Sequence, residues 1–422
     1  MVGNGRSLRR VVVTGMGVVS PSGNDIATFW NNITAGKCAI VPLEGFEDTP
    51  LPVHVAGVVK DFDPLSFGMT AKEVKRSDRF SQMAEAAATQ ALASSGIVAG
   101  ETVAPERFGV YVASGIGGLN TQIRQTKLMM EEGAAWISPM YIPMVISNIA
   151  GGNIAMKYNA QGPCITHVSA CASSTNSIGE AYTAIQSGRA DAILAGGSES
   201  VINVMAIAGF ANIKALSPET DPMKASLPFD SRRKGFVMAE GAGMLMMEEY
   251  GHAKARGANI IAEIVGYGCT CDAYHLTAPR PDGTAAARAM KAALDEGGYE
   301  AGENLYVNAH GTGTHYNDLA ETKALKLALG EEEAHRASIS SSKSMTGHML
   351  GATGAVEAIV SVLALRYGIV PPTAGLEDPD PGCDLDYTPL KAVKRNLDIA
   401  LSNSLGFGGH NVCVTFRKIG SR

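Results

Sequence analysis

Residues 168 to 189 read Val168-Ser-Ala-Cys-Ala-Ser-Ser-Thr-Asn-Ser-Ile-Gly-Glu-Ala-Tyr-Thr-Ala-Ile-Gln-Ser-Gly-Arg189. Small and polar residues come first, and then apolar residues follow at helical spacing until Ser187-Gly188. The pattern predicts a helix that begins close to Cys171. The free N–H groups and the dipole at a helix start stabilise a thiolate, so we expect a nucleophilic Cys171 with a pKa below ~8.5. The alternative is a buried structural cysteine.

The rest of the chain alternates strand-like and helical segments. Apolar or β-branched runs are interleaved with Ala-rich stretches, at 11–13, 82–95, 110–113, 174–187, 192–195, 284–294, 306–308, 354–367 and 412–416. Glycines cluster where strands would end, which marks tight turns or a close approach of backbones. The alternation predicts an α/β protein whose sheets are covered by helices.

A weak internal repeat divides the chain. A helix ending at Ala91-Leu-Ala-Ser-Ser-Gly96 leads to the strand-like Gly109-Val-Tyr-Val-Ala-Ser-Gly115. A second helix, ending at Ala293-Leu-Asp-Glu-Gly-Gly298, leads in the same way to Leu305-Tyr-Val-Asn-Ala-His-Gly311. The copies lie roughly 200 residues apart, too far for a solenoid, so we predict two similar halves of one fold. The polar segment 248–257 is the expected junction.

Composition narrows the classes of function. The 422 residues are 45% hydrophobic and 18% charged, with 48 glycines and a net charge of −6. This composition predicts a deep globular core. The chain has no run of five like charges, so there is no electrostatic sign of binding to nucleic acid or to an anionic membrane. Seven scattered cysteines form neither a disulfide framework nor a zinc spacing. No uninterrupted apolar run reaches ~18 residues, so we expect a soluble cytoplasmic protein.

His310 lies in the second motif, Val307-Asn-Ala-His-Gly-Thr-Gly-Thr314. A short strand is predicted to deliver this histidine into a turn rich in Gly and Thr. A histidine at such a strand end can face a cleft, where its imidazole donates a hydrogen bond or moves a proton. The alternative is a surface histidine without a chemical role.

Lys343 and His348 lie in the third motif, Ser340-Ser-Ser-Lys-Ser-Met-Thr-Gly-His348. It precedes a predicted helix whose small residues, Gly351 and Gly354 among them, favour close packing on neighbouring elements. Few charged residues surround Lys343, and a buried lysine would disfavour protonation of nearby histidines. The alternative is a capped helix with a solvated lysine.

The fourth motif, Gly406-Phe-Gly-Gly409, places one ring among three glycines. The ring can swing while the glycines absorb the backbone change, and N–H groups in such a turn can hold an oxyanion. The alternative is an ordinary hairpin turn.

Two further patterns give no cofactor site. Gly15-Met-Gly17 lacks the third glycine of a dinucleotide fingerprint. Cys269 and Cys271, with His275 nearby, are too closely spaced for the usual metal knuckle. We therefore expect neither a nucleotide nor a metal cofactor.

Taken in order, the four motifs around Cys171, His310, Lys343 and Phe407 resemble the β-ketoacyl-acyl-carrier-protein synthases of fatty acid synthesis, and the resemblance runs from residue 9 to residue 418. The Cys-His-His set with its lysine is similar to the elongating synthases, since the initiating ones have Asn where His348 stands and thiolases use a second cysteine. Ser114-Gly-Ile-Gly-Gly-Leu119 is similar to type II of that group, which accepts longer chains.

The resemblance implies the thiolase fold, in which two similar halves stack as α-β-α-β-α layers and two chains form a homodimer. The N-terminal half would span residues 9–258 and hold the nucleophile. The C-terminal half would span residues 259–418 and hold the His, Lys and His residues and a gating loop.

The resemblance also implies a decarboxylative condensation without a cofactor. Cys171 would take an acyl group from a carrier-bound thioester, with the N–H groups of Cys171 and Phe407 as the oxyanion site. Malonyl thioester would then lose CO2, and His310 and His348 would donate N–H groups to the enolate oxygen. Lys343 would hold their protonation state, and Phe407 would act as the gate.

The remaining implied positions concern substrate and carrier. They comprise the acyl tunnel (Ile116, Phe210), the pantetheine arm (Thr312, Thr314), a glycine of the substrate site (Gly408), docking of an acidic carrier protein (Lys72, Lys75, Arg76, Lys214) and a possible monovalent cation (Glu357, Asn403). Two departures from the family pattern stand out. Ala135 and Trp136 occupy the place of a second basic pair, which implies a change in the strength of carrier docking or in the identity of the preferred carrier. His315 replaces the proline commonly found after the Gly-Thr-x-Thr turn.

Three alternative functions remain open. A polyketide ketosynthase would use the same mechanism with another carrier. A cysteine hydrolase needs only Cys and His, so His348 and Lys343 would have no role in it. A non-catalytic chain-length subunit would lack the cysteine, and Cys171 argues against that.

Overall fold

The computed structural model describes residues 8–46, 49 and 51–420. Its strands are β1 (Val11–Val19), β2 (Val41–Pro42), β3 (Val55–Ala56), β4 (Phe108–Ala113), β5 (Cys164–Ile165), β6 (Ala192–Glu199), β7 (Gly241–Glu249), β8 (Ala262–Cys271), β9 (Leu305–Asn308), β10 (Ser338–Ser340), β11 (Ile369–Val370), β12 (Val393–Lys394), β13 (Ile399–Gly406) and β14 (His410–Arg417). Its helices are α1 (Ile26–Thr34), α2 (Ala71–Lys75), α3 (Arg79–Ser95), α4 (Leu119–Glu132), α5 (Tyr141–Val145), α6 (Ile149–Lys157), α7 (Ser173–Gln186), α8 (Val204–Asn212), α9 (Pro222–Ala225), α10 (Tyr250–Ala255), α11 (Thr284–Glu296), α12 (His315–Leu329), α13 (Glu331–Arg336), α14 (Lys343–Thr346) and α15 (Thr353–Tyr367).

One mixed sheet of ten strands runs through the molecule, in the order β10-β9-β13-β14-β8-β1-β7-β6-β4-β5. Its centre is the antiparallel pairing of β1 with β8, from Val11 opposite Ile264 to Val13 opposite Ala262. Outward from this pairing, five strands on each side follow the same plan of antiparallel strands first and parallel strands at the edge. The predicted duplication is therefore confirmed.

The helices complete the layers. Helices α3 and α6 cover the N-terminal part of the sheet, and α11 covers the C-terminal part, with α12 packed against α11. Between the two parts lie α7 and α15, each in contact with strands of both. These layers form the predicted α-β-α-β-α stack. The difference is that β1 pairs with β8, so the two β layers are joined at their edges into one sheet.

Equivalent glycines let the outer helices pack on the central strands. A Cβ atom on Gly15 or Gly17 of β1 would come within 2.2 Å of carbonyl oxygens of α3. One on Gly266 or Gly268 of β8 would come within 2.0 Å of carbonyl oxygens of α11. The Gly-Met-Gly run that resembles part of a dinucleotide motif thus has a packing role, repeated in the second half.

Helix α15 is the apolar helix at the centre of the stack. The window Leu350–Tyr367, with a mean hydropathy of 1.3 over 18 residues, is long and apolar enough to cross a membrane, and 89% of it is buried inside the protein. A Cβ atom on Gly354 would lie 1.9 Å from Thr175 Oγ1 of α7. The expected close packing of this small-residue helix is confirmed.

The connection between the halves is packed rather than extended. Glu248 is fully buried and pairs with Arg256 Nη2 at 2.5 Å and with His252 Nδ1 at 2.9 Å. The predicted junction 248–257 thus comprises the end of β7 and helix α10. The division at residues 258 and 259 stays a prediction.

Candidate active site

Cys171 lies in a tight turn ahead of α7. A 3-10 turn, Ala170–Ala172, precedes the helix, and Ala170 has a φ of 51°. The second half contains an equivalent turn. The 3-10 turn Leu350–Ala352 precedes α15, and Leu350 has a φ of 48°. Cys171 therefore corresponds to Gly351, and the predicted position of Cys171 at a helix start is confirmed.

The thiol of Cys171 is only slightly accessible, with 8% of the residue exposed. Burial raises its pKa to about 12, against the lowering effects of the Lys343 charge and of hydrogen bonds from the backbone N–H groups of Phe407 and Cys171. The expected pKa below the usual value is therefore wrong for the unloaded site. Desolvation of the thiolate outweighs the stabilisation that a helix start provides.

Two histidines face each other beside the thiol. The rings of His310 and His348 have centroids 5.3 Å apart and lie nearly perpendicular. Burial, followed by the charge of Lys343, holds both pKa values well below the usual range, so both rings are neutral. His348 Nδ1 lies 2.9 Å from Thr353 Oγ1, which leaves its Nε2 for a ligand. This neutrality was predicted.

Lys343 lies behind the histidines, fully buried and outside the cavity wall. Its Nζ is 2.5 Å from Glu357 Oε1. Burial raises the pKa of Glu357 to about 7, even though the Lys343 charge acts in the opposite direction. The pair places one cation close enough to affect Cys171, His310 and His348 at once.

Phe407 lies in the hairpin turn between β13 and β14. Gly406 packs so closely on the nucleophile turn that a Cβ atom there would be 2.6 Å from the Ser169 carbonyl oxygen and 3.4 Å from Cys171 N. The Phe407 ring lies 6.0 Å from that of Phe210, centroid to centroid. The turn is a hairpin, which was the alternative interpretation of this motif. It also directs the Phe407 backbone N–H at the Cys171 thiol.

One cavity of about 580 Å³ brings the predicted groups together. Its wall includes these predicted residues: Cys171, Phe210, Lys214, His310, Thr312, Thr314, His348 and Phe407. Ile116 does not line it and is 39% exposed, and Gly408 lies between two lining residues without lining it itself. The tunnel role of Ile116 and the substrate role of Gly408 stay predictions.

The predicted docking residues fall in two places. Lys72, Lys75 and Arg76 are exposed on and just after α2, whereas Lys214 is exposed at the mouth of the cavity. Trp136, which stands in the place of the missing basic pair, is 65% exposed.

The predicted cation position lies in the buried polar interior. Asn403 Nδ2 donates to Glu321 Oε1 at 2.6 Å. Glu357 Oε2, Asn308 Oδ1 and Ser402 Oγ are buried acceptors without a hydrogen-bond partner in the described part of the chain. Oxygen atoms of this kind are cation ligands, and the monovalent cation near Glu357 and Asn403 stays a prediction.

Comparison with known proteins identifies the family to which the chain belongs. The family described as "Beta-ketoacyl synthase, N-terminal domain" matches residues 8–253, and its counterpart "C-terminal domain" matches residues 261–377. The chain belongs to the β-ketoacyl synthase family.

Individual relatives within the family cover nearly the whole chain. The 3-oxoacyl-[acyl-carrier-protein] synthase 2 of Staphylococcus aureus is 47% identical over 410 residues, which is 97% of this chain and 98% of that protein. The protein of the same name from Synechocystis sp. is 46% identical over 411 residues, again 97% of this chain and 98% of that protein.

Solved structures of other β-ketoacyl synthases agree in fold. A type II polyketide ketosynthase in complex with its acyl-carrier protein superposes with a TM-score of 0.90 at 34% identity, covering 98% of this chain and 100% of that one. A β-ketoacyl synthase from Burkholderia phymatum gives 0.90 at 35% identity, with the same coverage.

Several supports of this β-ketoacyl synthase site were not predicted from the sequence. Glu321 accepts the backbone N–H groups of His310 and Gly311, each at 2.7 Å. Glu199 accepts from Gly115 N at 2.7 Å and Ser114 Oγ at 2.9 Å, beside the nucleophile turn. The donors to Glu199 lie 84 and 85 positions away, so no local motif marks it. Glu321 follows its donors by only 10 and 11 positions, and its place in the helix after the His310 motif was the available signal.

Proposed function

We propose that this chain is an elongating 3-oxoacyl-acyl-carrier-protein synthase, an acyltransferase that condenses acyl and malonyl carrier thioesters into 3-oxoacyl carrier thioester, CO2 and free carrier. The observation that carries the proposal is a single cavity holding a thiol, two neutral histidines and a backbone N–H pair aimed at the thiol. A thiol with one histidine would serve hydrolysis equally well, whereas a second neutral N–H donor serves an enolate.

In the first half-reaction Cys171 Sγ attacks the carbonyl carbon of the acyl carrier thioester. The negative oxygen of the tetrahedral intermediate accepts hydrogen bonds from the N–H groups of Cys171 and Phe407. The carrier sulfur leaves and takes up the thiol proton, so one thioester replaces another. Because the resting thiol is protonated, its deprotonation belongs to this step.

In the second half-reaction the malonyl carboxylate leaves as CO2 and its electron pair forms an enolate. His310 and His348 donate N–H groups to the enolate oxygen. The enolate carbon then attacks the acyl-Cys171 carbonyl carbon, and the cysteine leaves as thiolate and takes up a proton. Neutral rings suit this step because an imidazolium would pair with the malonyl carboxylate and oppose its loss.

Fatty acid elongation is favoured over polyketide synthesis. The relatives named 3-oxoacyl-[acyl-carrier-protein] synthase 2 reach 47% identity, whereas the ketosynthase of the type II polyketide system reaches 34%. The phenylalanine gate and the preference for longer chains remain part of the proposal.

The proposed partners are an acidic acyl carrier protein and a second copy of this chain. Lys72, Lys75, Arg76 and Lys214 would receive the carrier. The second copy would cover β5, the edge strand, where Ile165 is 44% exposed. Residues 129–168, the stretch that contains β5, expose further large apolar side chains: Met129, Met130, Trp136, Ile142, Ile146, Met156 and Val168. We place the enzyme in the cytoplasm, since all seven cysteines are free thiols.

Mass spectrometry tests the proposal directly. The purified protein is incubated with a C12 to C16 acyl carrier thioester and then with malonyl carrier, with Cys171→Gln as the negative control. The expected result is an acyl adduct on Cys171 that malonyl carrier converts to 3-oxoacyl carrier. Release of the adduct as free acid would instead indicate a hydrolase.

A further inference from the structure

The mouth of the cavity carries a histidine to which the proposed reaction gives no role. His315 is the first residue of α12, directly after the Gly-Thr-Gly-Thr turn, and its exposed side chain lines the cavity.

Arg233 fixes the hydrogen-bonding state of His315. Its Nη2 lies 3.3 Å from His315 Nδ1 and donates to the His315 carbonyl oxygen at 3.3 Å. A guanidinium has donors only, so Nδ1 must accept and the ring proton lies on Nε2. Arg233 is itself held by Asp380 at 2.7 Å and Asp318 at 3.4 Å, with 1% of its side chain exposed. A buried ion-pair network thus presents an N–H donor at the surface.

His315 ends a segment that leads from the reaction centre to solvent. His310 and Thr312 are buried, Thr314 is half-buried and His315 is exposed, and all four line the same cavity. A thioester held beside Cys171 must run outward along this segment. The group that meets His315 is therefore the outer end of the tether.

The same mouth favours an anion. The cavity wall carries three basic side chains, Lys214, Arg233 and Lys234, against one acidic side chain, Asp272. Lys234 lies 3.1 Å from Glu219. The first turn of α12 also lines the mouth, and its acidic residue, the buried Asp318, is paired with Arg233 at 3.4 Å.

We propose that His315 donates its Nε2–H to the phosphodiester at the outer end of the phosphopantetheine arm. The inference rests on the proposed function, because only carrier thioesters bring such an arm into the cavity. His315 would be a specificity-determining residue that favours phosphorylated over unphosphorylated arms and takes no part in bond making.

A comparison of two small donors isolates the contact. Transfer to Cys171 is measured with acyl-phosphopantetheine and with acyl-pantetheine, which lacks the phosphate, in the wild type and in His315→Pro. Proline is tolerated at the first position of a helix, so this variant keeps α12. We expect kcat/KM to fall about tenfold with acyl-phosphopantetheine, the usual loss of one hydrogen bond to a charged group, and to stay unchanged with acyl-pantetheine.

Two further variants complete the design. His315→Gln retains a side-chain N–H donor and should recover part of the phosphate-dependent rate. His335→Ala, which removes an exposed histidine of α13 outside the cavity wall, should leave both rates unchanged.

An equal loss with both small donors would overturn the inference, since no phosphate contact would have been removed. A loss seen with the intact acyl carrier protein alone, and with neither small donor, would also overturn it and assign His315 to the carrier's own side chains. Failure of the wild type to accept an acyl group from any donor would contradict the proposed function instead.

Discussion

One buried cation, Lys343, acts on Cys171 and on both histidines of the cavity. Lys343 lowers the pKa of both His310 and His348, and it also opposes the rise in the Cys171 pKa that burial causes. Its partner Glu357 is buried too, and each alone would be an uncompensated charge. One lysine therefore favours both neutral rings at the proposed enolate site and ionisation of the proposed nucleophile.

Replacement of this cation should change the pH dependence of the reaction. In Lys343→Met the pKa values of His310 and His348 rise towards the usual histidine value, because a nearby like charge is gone. The histidines then protonate at higher pH, so the acid limb of malonyl carrier decarboxylation should shift upward by about one pH unit. Initial rates of CO2 release across the pH range measure the shift.

The matched control is Lys323→Met, which removes an exposed ammonium that donates to the Pro281 carbonyl oxygen at 3.1 Å. It should retain the wild-type profile. Superimposable profiles for all three proteins would show that Lys343 does not set the protonation of the histidines.

At the scale of elements, the contact of α7 with α15 sets how closely the two halves approach. Gly354→Ala would place a methyl group 1.9 Å from Thr175 Oγ1 and 3.0 Å from Ser404 Oγ. We expect a loss of stability of about 2 kcal/mol from overpacking, with a lower Tm by calorimetry.

Gly209→Ala gives the matched comparison, because a Cβ atom at this α8 glycine meets nothing within 4 Å. The change should stabilise by up to about 1 kcal/mol through helix propensity. If both variants lowered the Tm equally, close packing would not be the cause.

Helix α10 carries a second testable feature, an imidazolium that links the end of β7 to the loop before β4. His252 Nδ1 lies 2.9 Å from Glu248 Oε2 and its Nε2 lies 3.0 Å from the Thr102 carbonyl oxygen. Both partners accept, so both ring nitrogens donate. The hydrogen bond to Glu248 is the largest cause of a raised pKa for His252.

A raised pKa in the folded state fixes the sign of the pH effect. The stabilisation by His252 is complete below the unfolded pKa of about 6.5. It is lost as the pH rises through the higher folded pKa. The Tm difference between wild type and His252→Gln should therefore be larger at pH 6 than at pH 9. A Tm difference for His252→Gln that stays constant between pH 6 and pH 9 would contradict the assignment.

What the sequence could predict depended on the distance between interacting residues. The helix start at Cys171 and the repeated helix-strand units were predictable because neighbours within a few turns determine them. Glu199 was not, because its donors Ser114 and Gly351 lie 85 and 152 positions away. The Cys171 pKa was wrong for the same reason, since burial depends on the whole fold whereas the helix start is local.

At the scale of the whole molecule, strand β5 leaves one end of the ten-stranded sheet unpaired. Its two residues, Cys164 and Ile165, are both exposed. Unpaired edges with apolar side chains invite pairing with another chain unless charge or a bulge prevents it. The far end of the sheet, β10, is buried along its length, so the two ends differ in what they offer a partner.

Ile165→Lys should therefore separate the proposed dimer into single chains, since a charged side chain on an edge strand opposes pairing. Light scattering coupled to size-exclusion chromatography measures the mass, and we expect one chain for this variant against two for the wild type. The control is Val98→Lys. Val98 lies in the turn after α3 and is 45% exposed, against 44% for Ile165. This variant should remain dimeric because Val98 is not part of the edge strand β5. A dimeric Ile165→Lys would place the interface elsewhere, and two monomeric variants would show that added charge alone dissociates the chains.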